Sequence, residues 1–285
     1  MASAKGVVPR AVIAAGGRSR RMQMIIQWQS GAKRLYEEIF KGQEHRIPKR
    51  FTVAPTSKIH VKVGGTPLMA HQIKLMLKEG VREFLLVFRT RQQVEEFQRF
   101  REEGMYPEAR YEFFVEDEHE RAPSQDVFKM AMGHPQVRKF VGKQPFLFSY
   151  GDNYFGPDVI RHAVETFRQR KATLFLAELI SSSANESDHK TAYTIEQALA
   201  KKEESKYAPA FTAAILTPET RAHFERQTDT APNRSLMELM RRANEAGHAS
   251  VIMHMNSWNV NHPIDYIRLQ QIHAGELDFH LREKK

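Results

Sequence analysis

Short, continuous apolar runs alternate with amphipathic stretches along the first two thirds of this chain. That alternation restricts the fold more than any single residue does. Ala11–Ala15, Phe84–Phe88, Tyr111–Val115, Pro145–Tyr150 and Thr173–Leu179 read as strands. Strands that are apolar residue after residue must be covered on both faces. Between them, Pro67–Lys78, Gln92–Phe100, Gln125–Met132 and Asp158–Phe167 have helical spacing. In the first of these helices Leu68, Ile73, Leu75, Met76 and Leu77 are apolar, and Gly80 stands where a C′ residue ends a helix. The pattern predicts an α/β fold with a mainly parallel sheet flanked by helices.

The last third is more mixed. Phe211–Leu216 and Ser250–Met255 read as strands, and Pro218–Glu225, Ser235–Ala246 and Pro263–Ile272 as helices. One segment, Gln23–Ser57, interrupts the alternation. It holds Trp28, a short helical pattern over Leu35–Phe40, and a dense basic zone from Lys33 to Arg50. It reads as an insertion or lid on a single domain spanning 1–285, its apolar residues being too many for a solvated loop.

Composition narrows the chemistry. Cysteine is absent, so disulfides, thiolate nucleophiles and cysteine-based zinc sites are excluded. No apolar run is long enough to span a bilayer, and no signal-peptide pattern opens the chain, so a cytoplasmic protein with no membrane partner is expected. The 43 Lys and Arg exceed the 34 Asp and Glu, leaving a formal charge of +9 that favours anionic partners. The basic residues form no continuous helical face with interleaved aromatics, so nucleic acid is not the expected anion. None of the thirteen histidines sits in an H-E-x-x-H spacing, and none is assigned to catalysis.

Ligands of open α/β sheets bind beyond the carboxyl ends of the strands. Three segments lie at such places. The first is Ala14-Ala15-Gly16-Gly17-Arg18-Ser19-Arg20-Arg21-Met22, straight after a buried strand. Glycines there let backbone N–H groups approach phosphate oxygens, and Arg21 adds a fixed positive charge. The spacing is neither G-x-G-x-x-G nor a P-loop. The same residues also suit a plain Gly-rich turn with surface arginines. The second is Phe146-Leu147-Phe148-Ser149-Tyr150-Gly151-Asp152-Asn153-Tyr154-Phe155, a strand ending in Gly-Asp-Asn. An aspartate after a strand serves either as a metal ligand or as a turn or capping residue. The third is Trp258-Asn259-Val260-Asn261-His262-Pro263-Ile264-Asp265, which leads into the last helical pattern.

Together these segments resemble the sugar-phosphate nucleotidyltransferase superfamily, which includes the thymidylyl-, uridylyl-, cytidylyl- and guanylyltransferases of sugar phosphates and the molybdenum-cofactor transferases. The first looks like the family's signature loop, with Ser19 in place of a common glycine. The second closely resembles the Gly-Asp-Asn motif of glucose-1-phosphate thymidylyltransferases, in which the aspartate binds magnesium. The third is similar to the family's late Asn/Asp-rich segment. The family's signature lysine lies nine residues before a Pro-Leu, a spacing met by Lys58 and Pro67, with Lys49 and Lys62 as rivals. Ala122-Pro123-Ser124-Gln125-Asp126 is a looser match to the stretch that touches the base, Pro123 replacing a glycine. Glu196 and Lys201-Lys202 fall near the family's sugar-phosphate segment but read as a solvated charge run.

The resemblance implies a Rossmann-like, mixed, mainly parallel sheet of the nucleotide-diphospho-sugar transferase type. It implies an Mg2+-dependent enzyme that joins a nucleoside triphosphate to a sugar phosphate, releases pyrophosphate and yields a nucleotide-sugar. Arg21 and Lys58 take the catalytic roles. Ala15, Gly16, Gly17, Ser19 and Ser124 bind the nucleotide, and Asp152 and Asn261 hold the Mg2+. The alternatives are a regulatory nucleotide-sugar-binding protein that has lost turnover, motivated by Ser19, Pro123 and the insertion, or transfer to a molybdenum cofactor or a phosphorylated alcohol. A homo-oligomer stays open.

Overall fold

In the computed structural model of the chain, the residues described are 8–15, 59, 61–102, 106–116, 134–178, 192–194, 211–230, 236–248, 250–255, 257–259, 269 and 273. Within these residues the expected apolar runs form strands and the expected amphipathic stretches form helices. The main sheet contains β1 (Arg10–Ala14), β4 (Glu83–Phe88), β5 (Arg110–Val115), β6 (Phe146–Tyr150), β8 (Thr173–Glu178), β9 (Ala192–Thr194), β10 (Phe211–Leu216) and β11 (Ser250–Met255). Two small ribbons pair β2 (Lys62–Val63) with β3 (Thr66–Pro67), and β7 (Asn153–Phe155) with β12 (Ser257–Asn259).

The eight strands lie in the order β5-β4-β1-β6-β10-β8-β11-β9. Neighbours β5, β4, β1 and β6 are parallel, as are β8 and β11. Strand β10 runs antiparallel to both β6 and β8, and β9 runs antiparallel to β11. The sheet is therefore mixed and mainly parallel.

Six helices flank it among the described residues. Helices α1 (Leu68–Lys78), α2 (Arg91–Glu102) and α4 (Val159–Arg170) supply Met69, Ile73, Val94, Phe97, Ile160 and Val164 to one buried layer, which Ala11, Ile13, Phe84 and Leu147 join from the sheet. Helices α3 (Pro135–Val141), α5 (Pro218–Thr230) and α6 (Leu236–Glu245) supply Phe140, Phe224 and Met240 to the other, with Val12, Leu85, Phe146 and Phe148. Alternate residues of one strand thus enter opposite layers, which is why these strands are apolar throughout. Each fully buried Leu, Ile, Met or Phe stabilises the fold by about 1.5–3 kcal/mol relative to exposure.

The end of α1 follows the expectation from Gly80. Gly80 has φ +90°, its N–H donates to the Leu77 carbonyl, and the Val81 N–H reaches back to Met76. This is a Schellman ending, with Val81 fully buried beyond it. Sequence reasoning missed α3. It is only seven residues long and is capped by His134, whose Nδ1 accepts from the Gln136 N–H at 3.2 Å. Histidine is not a preferred cap, and Gly133-His134-Pro135 reads as a break. Of the expected helix over 263–272, Leu269 is described, helical and fully buried. The helical pattern over Gln125–Met132 lies outside the described residues, as does the Gln23–Ser57 insertion. Among the described residues no helix is long and apolar enough to cross a membrane.

The topology singles out one place. After β1 the sheet grows outward through β4 to β5, and the chain then returns to lay β6 on the other side of β1. The carboxyl ends of β1 and β6 therefore flank a topological switch point, the usual crevice for ligands in such sheets.

Candidate active site

Strands β1 and β6 end level with each other, since Ala14 pairs with Tyr150. Beyond this pair, the Gly151 N–H donates to the Ala14 carbonyl at 2.8 Å, and the Ala15 N–H donates to the Val87 carbonyl of β4 at 2.7 Å. Ala15, the first candidate nucleotide-binding residue, is buried where β1 leaves the sheet. The start of the glycine loop and the Gly-Asp-Asn turn thus stand side by side at the switch point.

Gly151 is demanded by this approach. A Cβ there would lie 2.8 Å from Ile59 Cγ2, 3.1 Å from the Ala14 carbonyl oxygen and 3.4 Å from Ile13 Cγ2. Ile59 is buried, and it is the residue after Lys58. Both flanks of the stretch between β1 and β2, Ala14 on one side and Ile59 on the other, therefore contact the same glycine.

Asp152 follows at the tip of the turn and is half-buried. The backbone around it is held from below by buried polar groups. Gln72 of α1 donates through Nε2 to the Tyr150 carbonyl at 3.0 Å and to the Asn153 carbonyl at 2.6 Å. The Ser149 hydroxyl donates to Gln72 Oε1 at 2.8 Å. Asn153 donates through Nδ2 to the Tyr150 and Thr212 carbonyls at 3.1 and 3.2 Å.

The third segment arrives at the same turn. In the β7–β12 ribbon, Ser257 pairs with Phe155, Trp258 with Tyr154 and Asn259 with Asn153. Asn259 thus lies opposite the residue next to Asp152. Asn261, two residues further on, lies outside the described residues. So do Gly16, Gly17, Ser19, Arg21, Lys58, Ser124 and the rival Lys49. The other rival, Lys62, is exposed on β2.

A histidine lies against the ribbon. His71 of α1 stacks on Tyr154, with ring centroids 4.4 Å apart and planes within 6°. Its Nε2 is 2.9 Å from the Phe155 carbonyl, which can only accept, so Nε2 carries the proton. Burial pushes the His71 pKa below its ordinary value. The Phe155 carbonyl opposes that shift, and Lys74, His273 and Lys78 reinforce it. Desolvation pushes the Tyr154 phenol upward, keeping it neutral. Both rings of this stacked pair are therefore uncharged near neutral pH.

The structure brings Ala15 and Asp152 to one place, and Gln72, Ser149 and His71, which hold or border the same turn, were not singled out in the sequence. A glutamine on the apolar side of a helix gives no local signal, since its partners are 77 to 81 residues away.

No protein-family model matches the chain, and no curated protein matches it by sequence. Solved structures do match by shape. The UTP-bound UGPase from Acinetobacter baumannii superposes with a TM-score of 0.59 at 11% identity, over 95% of this chain and 95% of that one. A glucose-1-phosphate thymidylyltransferase from Bacillus anthracis gives 0.59 at 16% identity, over 94% of this chain and 95% of that one. The inositol-1-phosphate CTP transferase from T. maritima gives 0.56 at 13% identity, over 96% of this chain and 99% of that one. At these identities the likeness establishes the fold, that of nucleotidyltransferases, across nearly the whole chain.

Proposed function

We propose that this chain is an Mg2+-dependent nucleotidyltransferase that joins a sugar phosphate to a nucleoside triphosphate and releases pyrophosphate. The observation that carries the reading is the Gly151 N–H on the Ala14 carbonyl. It ties the strand that opens the glycine loop to the turn that bears Asp152, at the switch point of a sheet shared with enzymes of this chemistry.

In the proposed reaction an oxygen of the sugar phosphate attacks the α-phosphorus of the triphosphate. The bond from that phosphorus to the bridging oxygen breaks, and pyrophosphate leaves. The nucleophile is a phosphate monoester, already largely ionised near neutral pH, so no protein base is required. The obstacle is the approach of two polyanions, and catalysis is positioning together with charge neutralisation. Backbone groups of Gly16, Gly17 and Ser19 cradle the nucleotide beside Ala15, whose own N–H is bonded to the Val87 carbonyl, and Ser124 contacts the base. Arg21 and Lys58 steady the α-phosphoryl group and the departing pyrophosphate. The formal charge of +9 favours both anionic substrates.

Asp152 and Asn261 would hold the Mg2+. A half-buried carboxylate at a strand end fits this ion, and among the described residues no three acidic or histidine side chains form a closed cage. Mg2+ takes one or two carboxylate or amide oxygens from the protein and keeps substrate phosphate and water for the rest. When bound, it offsets charge on the phosphate oxygens.

A screen of nucleoside triphosphates against sugar 1-phosphates tests the reading, with pyrophosphate release and mass-spectrometric detection of the nucleotide-sugar. Inositol 1-phosphate with CTP belongs in the same screen, because the T. maritima enzyme supports a phosphorylated alcohol as the second acceptor class. At least one pair is expected to turn over with Mg2+ and to stop with EDTA. A folded protein that converts no pair fails the reading.

A further inference from the structure

Gln72 is a fully buried amide on a helix face otherwise filled by Met69, Ile73, Leu75 and Met76. Taking an amide out of water costs free energy unless its donors and its acceptor all find partners. Here both N–H bonds and the carbonyl oxygen are used, and all three partners belong to Ser149, Tyr150 and Asn153. The two carbonyls that Gln72 holds are those of the residues flanking Gly151-Asp152. Because both are acceptors, they also fix which end of the amide is nitrogen.

The clamp has a second half. Asn153 donates across the turn to the Tyr150 carbonyl and outward to the Thr212 carbonyl of β10. The Ser257 hydroxyl of β12 reaches Thr212 Oγ1 at 3.3 Å, and Thr212 Oγ1 in turn lies 3.3 Å from the Leu176 carbonyl of β8. A buried polar chain therefore runs from α1 beneath the turn to the strand that leads toward Asn261. A leucine would fill the same space in α1 without holding either carbonyl.

We propose that Gln72 is a positioning residue: by clamping the Tyr150 and Asn153 carbonyls, its amide sets the backbone on both sides of Asp152 and so the place of its carboxylate. The inference rests on the reading of Asp152 as a residue of the nucleotidyl-transfer site. Hydrogen-bond partners that orient a metal-binding side chain typically account for about 10- to 100-fold in metal affinity or activity.

Three full-length variants test it: Gln72→Leu, Gln72→Glu and Asp152→Asn. Each is checked for folding by thermal melting, then compared with the native protein in amide hydrogen exchange over residues 149–155 and in pyrophosphate release. Gln72→Leu is expected to exchange faster in that segment alone. It is also expected to lose about 10- to 100-fold in kcat with a raised half-saturating Mg2+ concentration, and little change in the triphosphate KM. Gln72→Glu keeps the acceptor for Ser149 and loses both donors while ionised. Burial raises the pKa of such a carboxyl, and protonation restores one donor. Its turnover relative to the native protein should therefore rise as pH is lowered from about 8 to about 6. A purely structural role for Gln72 does not produce that profile. Asp152→Asn should lose turnover without faster exchange. Native exchange over 149–155 in Gln72→Leu overturns the proposal, as do native kcat and Mg2+ dependence in that variant. If the native protein releases no pyrophosphate from any pair, the functional reading fails and exchange alone decides whether Gln72 holds the turn.

Discussion

Gly151→Ala places one methyl group at the contact on which the proposed site rests. Gly151 does not have a positive φ, so the substitution carries no left-handed backbone penalty. The cost comes from space. The new Cβ would sit 2.8 Å from Ile59 Cγ2, inside any real carbon–carbon contact, and 3.1 Å from the Ala14 carbonyl oxygen, which belongs to a fully paired central strand. Overpacking of this kind typically costs about 1–3 kcal/mol. Moving the turn away from β1 also weakens the Gly151–Ala14 hydrogen bond, worth about 0.5–1.5 kcal/mol. Replacing glycine restricts the unfolded chain and returns about 0.4–1 kcal/mol. The balance is a loss of roughly 1–3 kcal/mol. At about 2–4 °C per kcal/mol for a large domain, thermal melting should show Tm lowered by roughly 2–12 °C. Turnover should fall more than stability suggests, because a displacement of about 1 Å at a reacting centre can cost about 10²-fold. Ile59→Ala removes the nearest obstacle, so Gly151→Ala and Ile59→Ala should be less than additive in a double-mutant cycle, with coupling of about 0.5–3 kcal/mol. Native Tm in Gly151→Ala, or full additivity with Ile59→Ala, would refute the close-approach argument whatever the protein's activity.

The other predictions need standard assays. Asp152→Asn should stay folded and lose about 10²-fold or more in Mg2+-dependent pyrophosphate release, and near-native release would remove Asp152 from the site. Arg21→Ala and Lys58→Ala should impair use of the triphosphate more than Lys49→Ala or Lys62→Ala, and a greater loss in Lys49→Ala would move the signature lysine to Lys49. Hydrogen exchange over residues 23–57 should slow when nucleoside triphosphate and Mg2+ are added, as for a lid; strong protection that ligand does not change would instead make this stretch a fixed element. His223 on α5 is buried, and its Nε2 has no partner among the described residues. Burial, then His248 and Arg226, lower its pKa below the ordinary 6.5. The unfolded chain therefore binds the extra proton first, so this contribution to stability is intact above about pH 6.5 and declines as pH falls below it. His223→Leu should flatten the fall in Tm between about pH 7.5 and pH 5, and an unchanged slope would contradict the assignment.

Local chemistry made much of this protein readable from its residues. Ala11–Ala15, Phe84–Phe88, Pro145–Tyr150 and Thr173–Leu179 announced strands buried on both faces, because a run of apolar side chains cannot present one face to water. Gly80 announced the end of α1, because few other residues accept φ near +90° at a helix terminus. Gly151-Asp152 stood out because a glycine and a carboxylate after a buried strand need a reason. What the residues could not state was the order of the strands, with β6 laid against β1, or the reversal of β10. Those follow from which apolar faces bury best together, a property of the whole chain. The same holds for β7, β12 and Gln72. Each is too short or too ordinary in composition to carry a signal of its own. The Gly-Asp-Asn turn pairs with a segment about a hundred residues later, and it is clamped by an amide 77 to 81 residues earlier. Hydrogen bonds of that kind have no periodicity along the chain, because they are chosen only after the sheet and helices have packed and left buried polar groups that must find partners.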